Sequence, residues 1–111
     1  MGYTKSSTQG NDAMQLKSAK HKGLKAMLAG DDRPKGLNKR EAELIRIRLT
    51  VLEAAPDLPT VTRSYPGWRL HFYKGGPWAG NWAIDVTGNW RLIFRMAQPG
   101  VITELDYADT H

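Results

Sequence analysis

Two periods divide the chain. Between residues 22 and 54 large apolar side chains return every three or four positions, and from residue 67 onward they alternate with polar ones. Leu24, Met27 and Leu28 fall at i, i+3 and i+4, which predicts a short amphipathic helix over about 22–29. Gly30 stops it, and Asp31-Asp32-Arg33-Pro34-Lys35-Gly36 reads as a loop. The stronger helix is predicted over about 38–54. Asn38 followed three residues later by Glu41 is a capping-box start. Ala42, Ile45, Leu49 and Leu52 make one stripe, widened by Leu44, Ile47 and Val51. Arg40, Arg46 and Arg48 are then expected at the stripe's margins or in solvent. Pro56 and Pro59 are expected to end the helix and open a linker.

The alternating half predicts strands at Trp68–Tyr73, Trp82–Val86, Trp90–Arg95 and 101–107. Thr87-Gly88-Asn89 and Gln98-Pro99-Gly100 carry the turn chemistry between them. Helices followed by consecutive strands imply α+β: two N-terminal helices packed on a twisted antiparallel sheet of about four strands. Residues 16–18 are a further short edge strand. Residues 1–15, poor in large apolar side chains, read as a flexible leader, with Met14 a plausible true start and the folded domain at 16–111.

Strand parity sorts side chains to faces. Leu70 and Phe72, then Trp82, Ile84 and Val86, then Leu92 and Phe94 are expected to meet the helices. The other face receives Arg69 and His71, then Asp85, then Arg91 and Arg95. Tyr107, Asp109 and His111 share a parity if the last strand runs to the chain end. Trp68, Trp82 and Trp90 are expected in the core, and Trp78, beside Pro77, on the surface.

Composition narrows the class. The chain has 111 residues, 41% apolar and 24% charged, which suits one ordinary domain. It has no cysteine, so neither disulfides nor thiolate metal sites arise. No apolar run approaches the roughly 20 residues needed to cross a bilayer, and the N-terminus lacks a signal peptide's apolar block. A cytoplasmic location is the expectation. The net charge of +5 is lopsided: residues 1–55 carry eleven Lys/Arg against six Asp/Glu, and residues 56–111 carry five of each. Such an excess points to a polyanionic partner, nucleic acid above all, or to a solvated helix face.

His71, Lys74, Arg91, Asp109 and His111 are the ionisable groups that could act on a phosphodiester. Metal-free RNA cleavage needs a base for the 2′-hydroxyl, an acid for the leaving oxygen, and cations for the developing charge. Imidazole, with a reference pKa of about 6.5, can serve as base or acid. Asp109 can orient a histidine or act as base. Lys74 and Arg91 supply charge, and Arg can grip two phosphate oxygens at once. Singly, each has a bland alternative: a strand histidine, a solvated turn lysine, an arginine that neutralises Asp85 or Asp109, a frayed end. Glu104 and Asp106 are read as structural. Three dispersed histidines, His21 among them, form no zinc pattern.

Together these segments resemble a known family. LHFYKGGPWAGNWAIDVTGNWRLIF at 70–94, LDYADTH at 105–111 and His21-Lys22-Gly23-Leu24-Lys25 are similar to the HigB toxins of the RelE superfamily, over about residues 16–111. The resemblance implies a RelE-like fold and a ribonuclease that cuts mRNA in the ribosomal A site. It implies no cofactor and no metal. It implies a helix-turn-helix antitoxin as partner, HigA-like, with the 70S ribosome and mRNA as targets. Operator DNA would be reached only through the antitoxin, and no membrane is involved. The family's catalytic residues fall on His71, Lys74, Arg91, Asp109 and His111. Arg69, Arg95, Lys22, Lys25, Arg40, Arg46, Arg48, Trp78 and Tyr107 are the expected RNA contacts. One departure stands out: Thr110 replaces the tyrosine that the family has before its final histidine. A non-catalytic RNA- or ribosome-binding protein, or a corepressor acting through its antitoxin, remains open as an alternative.

Overall fold

The computed structural model describes residues 13–111. The elements are β1 (Gln15–Leu16), α1 (Lys22–Leu28), α2 (Lys39–Ala54), α3 (Leu58–Ser64), a 3₁₀ turn (Pro66–Trp68), β2 (His71–Phe72), β3 (Trp82–Thr87), β4 (Trp90–Gln98) and β5 (Val101–Asp109). The fold is α+β, as the two periods predict, with the helices on one side of the sheet. Both expected helices are present. The Asn38 side chain accepts from the Glu41 N–H and the Glu41 side chain accepts from the Asn38 N–H.

Three expectations change. The segment after Pro56 is a helix rather than a linker: Asp57 caps α3 by accepting from the Thr60 N–H and hydroxyl, and Pro59 sits in the first turn, where no N–H is needed. Those two bonds hold the Asp57 carboxyl below its ordinary pKa. Among the described residues the sheet has five strands, in the order β1-β5-β4-β3-β2, and is mixed, because β1 runs parallel to β5. The expected strand at 68–73 shrinks to His71–Phe72, since Pro66–Trp68 forms the 3₁₀ turn and Arg69 takes a left-handed φ of 51°.

Most of the leader expectation falls on residues 1–12, outside the described residues. Its last part joins the fold: Met14 is buried and Gln15 pairs with Val101.

The core lies between sheet and helices. Ile45, Leu49 and Leu52 of α2 meet Ile84, Leu92, Phe94, Ile102 and Leu105, with Leu24, Leu58 and Val61 closing the ends. Each such side chain contributes roughly 1.5–3 kcal/mol on burial. Ile47 does not join; it is 52% exposed on the outer face of α2. Phe72 has the core parity but lies beyond the helices on the edge strand, half exposed against Trp82 at 5.1 Å. Trp90, expected in the core, is partly exposed and stacks on Tyr107.

Three register shifts interrupt the sheet, one of them between Met96 and Gln98 of β4, and the other two set which residues face the site. One between Asp85 and Thr87 makes Val86 the extra residue, so that Ile84 faces Leu92 and Asp85 faces Arg91. The other lies near Glu104, which takes φ 54° and whose N–H donates to Ser18 Oγ at 3.0 Å. It lets both Ile102 and Leu105 face the core despite their odd spacing. Among the described residues no helix is long and apolar enough to cross a membrane.

Candidate functional site

Among the described residues no helix lies over the sheet's second face. Cα partners in an antiparallel pair share a face. The registers therefore place His71, Ala83, Ile93 and Asp106 in one row there, and Asp85, Arg91 and Ala108 in the next.

Asp85 organises the arginines. Its Oδ2 accepts from Arg69 Nε at 2.8 Å, and Arg91 Nε lies 2.8 Å from its Oδ1. The Arg91 N–H points off the line of a good hydrogen bond, so that contact is ionic. The backbone carbonyl of Asp85 accepts from Arg48 Nε at 2.8 Å. Arg91 is further fixed by Nη1, which donates to Gly88 O at 2.7 Å and Trp90 O at 3.1 Å. Its side chain is only 11% exposed, and among the described residues its Nη2 makes no hydrogen bond. Two cations thus meet the Asp85 carboxylate and a third its backbone carbonyl, so arginines outnumber carboxylates here.

His71 is oriented by the backbone before it. Its Nδ1 lies 2.6 Å from the carbonyl of Arg69, whose left-handed conformation turns that oxygen toward the ring. A carbonyl only accepts, so Nδ1 carries the proton and the neutral ring keeps its lone pair on Nε2. Tyr73 packs edge-on against the same ring at 4.9 Å. Beyond it, the Tyr73 N–H donates to Asn81 O and the Tyr73 carbonyl accepts from the Gly80 N–H, which closes the loop that exposes Lys74. Arg95 Nη2 donates to Ala79 O across that loop. Gly80 is required there: its φ is +85°, and a Cβ would stand 2.7 Å from the Arg95 guanidinium.

The chain end is tied to the β3–β4 turn. Thr110 N–H donates to Asn89 O at 3.0 Å, and the Asp109 carboxylate accepts from the His111 N–H at 2.9 Å. Asp109 pairs with Trp90, so by register it lies at the end of the helix-side face, next to the turn that holds Arg91.

The expected residues divide into three groups. Arg69, His71, Arg91 and Arg95 share the open face, with exposed Lys74 and half-buried Trp78 on the adjoining loop. Lys22, Lys25 and Arg40 are exposed, but on the helical layer across the sheet; Arg46, half-buried there, donates to Asp32 O. Two expectations are overturned. Arg48 is 8% exposed, bonded to Leu44 O and Asp85 O, and burial lowers its pKa against the opposing pull of Asp85 and Tyr107. Tyr107 is 5% exposed, opposite Leu92, with its hydroxyl donating to Glu41 Oε2 at 2.7 Å. Leu105-Asp106-Tyr107-Ala108 carried the signal: the two large apolar rings and chains alternate, and that pair takes the core. Asp85 as the anchor of two arginines was legible only as a possible partner of Arg91.

The hollows described on the surface are lined by the helical layer, the Asp32–Lys39 loop and the β4–β5 turn; none includes His71, Lys74, Arg91 or His111. Among the described residues no three His, Asp or Glu side chains are grouped to hold a metal ion.

Nearly all of the described domain matches a family. The model of the HigB-like toxin, described as a RelE-like toxin of type II toxin-antitoxin system HigB, covers residues 17–111. The chain is also similar to Endoribonuclease HigB of Proteus vulgaris, 33% identical over 96 residues that span 86% of this chain and 99% of that protein. With a matched model over nearly all of its folded residues, the chain belongs to the HigB-like toxins, the RelE-like toxins of type II toxin–antitoxin systems.

Proposed function

We propose that this toxin is an endoribonuclease that cuts mRNA in the ribosomal A site and so stops translation. The observation that carries the reading is His71, whose Nδ1 is held by the Arg69 carbonyl and whose Nε2 has no partner among the described residues, on the face that carries the arginine cluster. Nε2 of His71 takes the proton from a 2′-hydroxyl. That oxygen attacks the adjacent phosphorus, and the bond from phosphorus to the 5′-oxygen breaks. His111, with Asp109 holding the chain end, returns a proton to the leaving oxygen. Arg91 and Lys74 balance the charge that builds on the phosphoryl oxygens. The products are a 2′,3′-cyclic phosphate and a 5′-hydroxyl, and the reaction uses no metal.

Delivery by the ribosome fits the shape of the site. A flat face does not by itself hold a flexible strand, whereas a ribosome presents mRNA already extended. The cationic helix residues Lys22, Lys25 and Arg40 face the other way and suit ribosomal RNA phosphates or an acidic antitoxin surface. The neutralising partner is a helix-turn-helix antitoxin, through which the pair reaches operator DNA. The test is in vitro translation with mapping of mRNA 5′ ends. Codon-spaced cuts that vanish with His71→Ala support the proposal; arrested translation on intact mRNA overturns it in favour of a binding protein.

A further inference from the structure

One aromatic stack has no part in the chemistry above. Tyr65 stacks on Trp68 at 4.2 Å and 13°, and the Arg48 guanidinium lies 4.7 Å from the same Trp68 ring. Two groups that close to one ring centroid take opposite sides of it. The stack therefore runs outward from buried Arg48, through half-buried Trp68, to Tyr65, which is 40% exposed. Its backbone is fixed on both sides: Tyr65 N–H donates to Val61 O, and Trp68 N–H to Tyr65 O. Exposed Arg63 precedes it by two residues, and Arg69, with a side chain 68% exposed, follows it by four.

We propose that the outer face of Tyr65 is a stacking platform for one base of single-stranded RNA, with Arg63 and Arg69 on the flanking phosphates. The proposal rests on the ribonuclease reading for its biological use. A rigid flat ring with arginines two residues before it and four after it suits a nucleobase, because every base offers a π face and its neighbours are anionic. Arg69 ties the platform to the reaction. Its guanidinium donates to Asp85 while its carbonyl orients His71. A base on Tyr65 thus sits a short run of nucleotides from the scissile phosphate, at a place able to bias which codon is cut.

The test uses an RNA of about six nucleotides, within the span one such surface holds, carrying a single 2-aminopurine. Binding is measured in the His71→Ala background so that the strand stays intact. Tyr65→Leu keeps apolar bulk without the ring and is expected to weaken binding by about 5- to 150-fold, the range for losing one base stack. It should also abolish 2-aminopurine quenching, whereas Tyr65→Phe should keep both. Equal affinity and quenching in Tyr65→Leu overturns the platform, as does quenching that is absent in the parent. Cleavage by the chain with His71 intact is read separately. A chain that quenches but never cuts overturns the ribonuclease reading and leaves the platform standing.

Discussion

The two faces of the sheet are built from the same strands by opposite means. On the helix side Ile84, Leu92, Phe94, Ile102 and Leu105 are all fully buried and apolar, and burial of area holds them. On the other side Ala83 and Ile93 are just as buried, yet they belong to no helix-side cluster. One face spends its residues on stability. The other uses a thin apolar floor to hold cations and an imidazole at fixed positions, which is what catalysis by preorganised charge requires.

Phe94→Ala and His71→Ala, one from each face, should separate cleanly. Phe94→Ala empties a fully buried site and is expected to cost about 3–5 kcal/mol, enough to unfold much of the chain. His71→Ala should leave the denaturation midpoint nearly unchanged while abolishing growth arrest, and Lys74→Ala, at an exposed loop position, should do the same. Urea unfolding together with an induced-growth assay checks both. A soluble, folded Lys74→Ala chain that still arrests growth would remove Lys74 from the site.

Arg91 belongs to both descriptions, and its variants test where the line runs. Arg91→Ala should lose about 2–4 kcal/mol of transition-state stabilisation, the scale for one charge-stabilising donor. It should also lower stability, since it takes away the ionic partner of Asp85 Oδ1. Arg91→Lys should restore part of the activity, because an ammonium cannot grip two oxygens or span Asp85 and Gly88 together. Single-turnover cleavage rates beside melting curves measure the two losses separately. Full activity in the lysine variant would mean that point charge alone matters.

The chain end carries a smaller effect. Deleting Asp109 to His111 should remove cleavage and spare antitoxin binding, since these residues contribute few packing contacts. Thr110→Tyr should hold or raise the rate, by up to the roughly 1–3 kcal/mol of a base stack. Primer extension after in vitro translation compares the three chains; a truncated chain that cuts at the parental rate would make the terminal motif irrelevant here.

Much of this plan was legible in the sequence because periods of 3.6 and 2 report burial directly. Ala42, Ile45, Leu49 and Leu52 lie inside as spaced, and Asn38 caps as its partner Glu41 implies. Parity also placed His71, Asp85, Arg91 and Arg95 together. It failed where one residue breaks the count. A plain two-residue turn at Gly88-Asn89 would set Arg91 against Val86; the bulge at Val86 sets it against Asp85 instead. A left-handed Arg69 likewise has no sequence mark, as glycine would have had, so the carbonyl that orients His71 was out of reach. The short edge strand expected at 16–18 is present as β1, set at Gln15–Leu16.

Tyr107 gives the finest test of which face a residue serves. It was expected beside the RNA, and the structure puts its ring behind Leu92 with its hydroxyl on Glu41. Tyr107→Phe should leave cleavage unchanged and cost about 0.5–1.5 kcal/mol, the net worth of one hydrogen bond. The effect has a pH signature. Burial, then the bond to Glu41, raises the Tyr107 pKa above its ordinary value of 10.0. Above about pH 10 the unfolded tyrosine therefore releases its proton while the folded one keeps it. The unfolded state then binds fewer protons, so stability falls as pH rises, by up to about 1.4 kcal/mol per unit for this group. The contribution is complete below pH 10 and lost as pH climbs toward the folded pKa. Urea midpoints taken between about pH 8 and 11 should fall more steeply for the parent than for Tyr107→Phe. Parallel slopes would show that the hydroxyl is not held by the core, and slower cleavage at neutral pH would return Tyr107 to the open face.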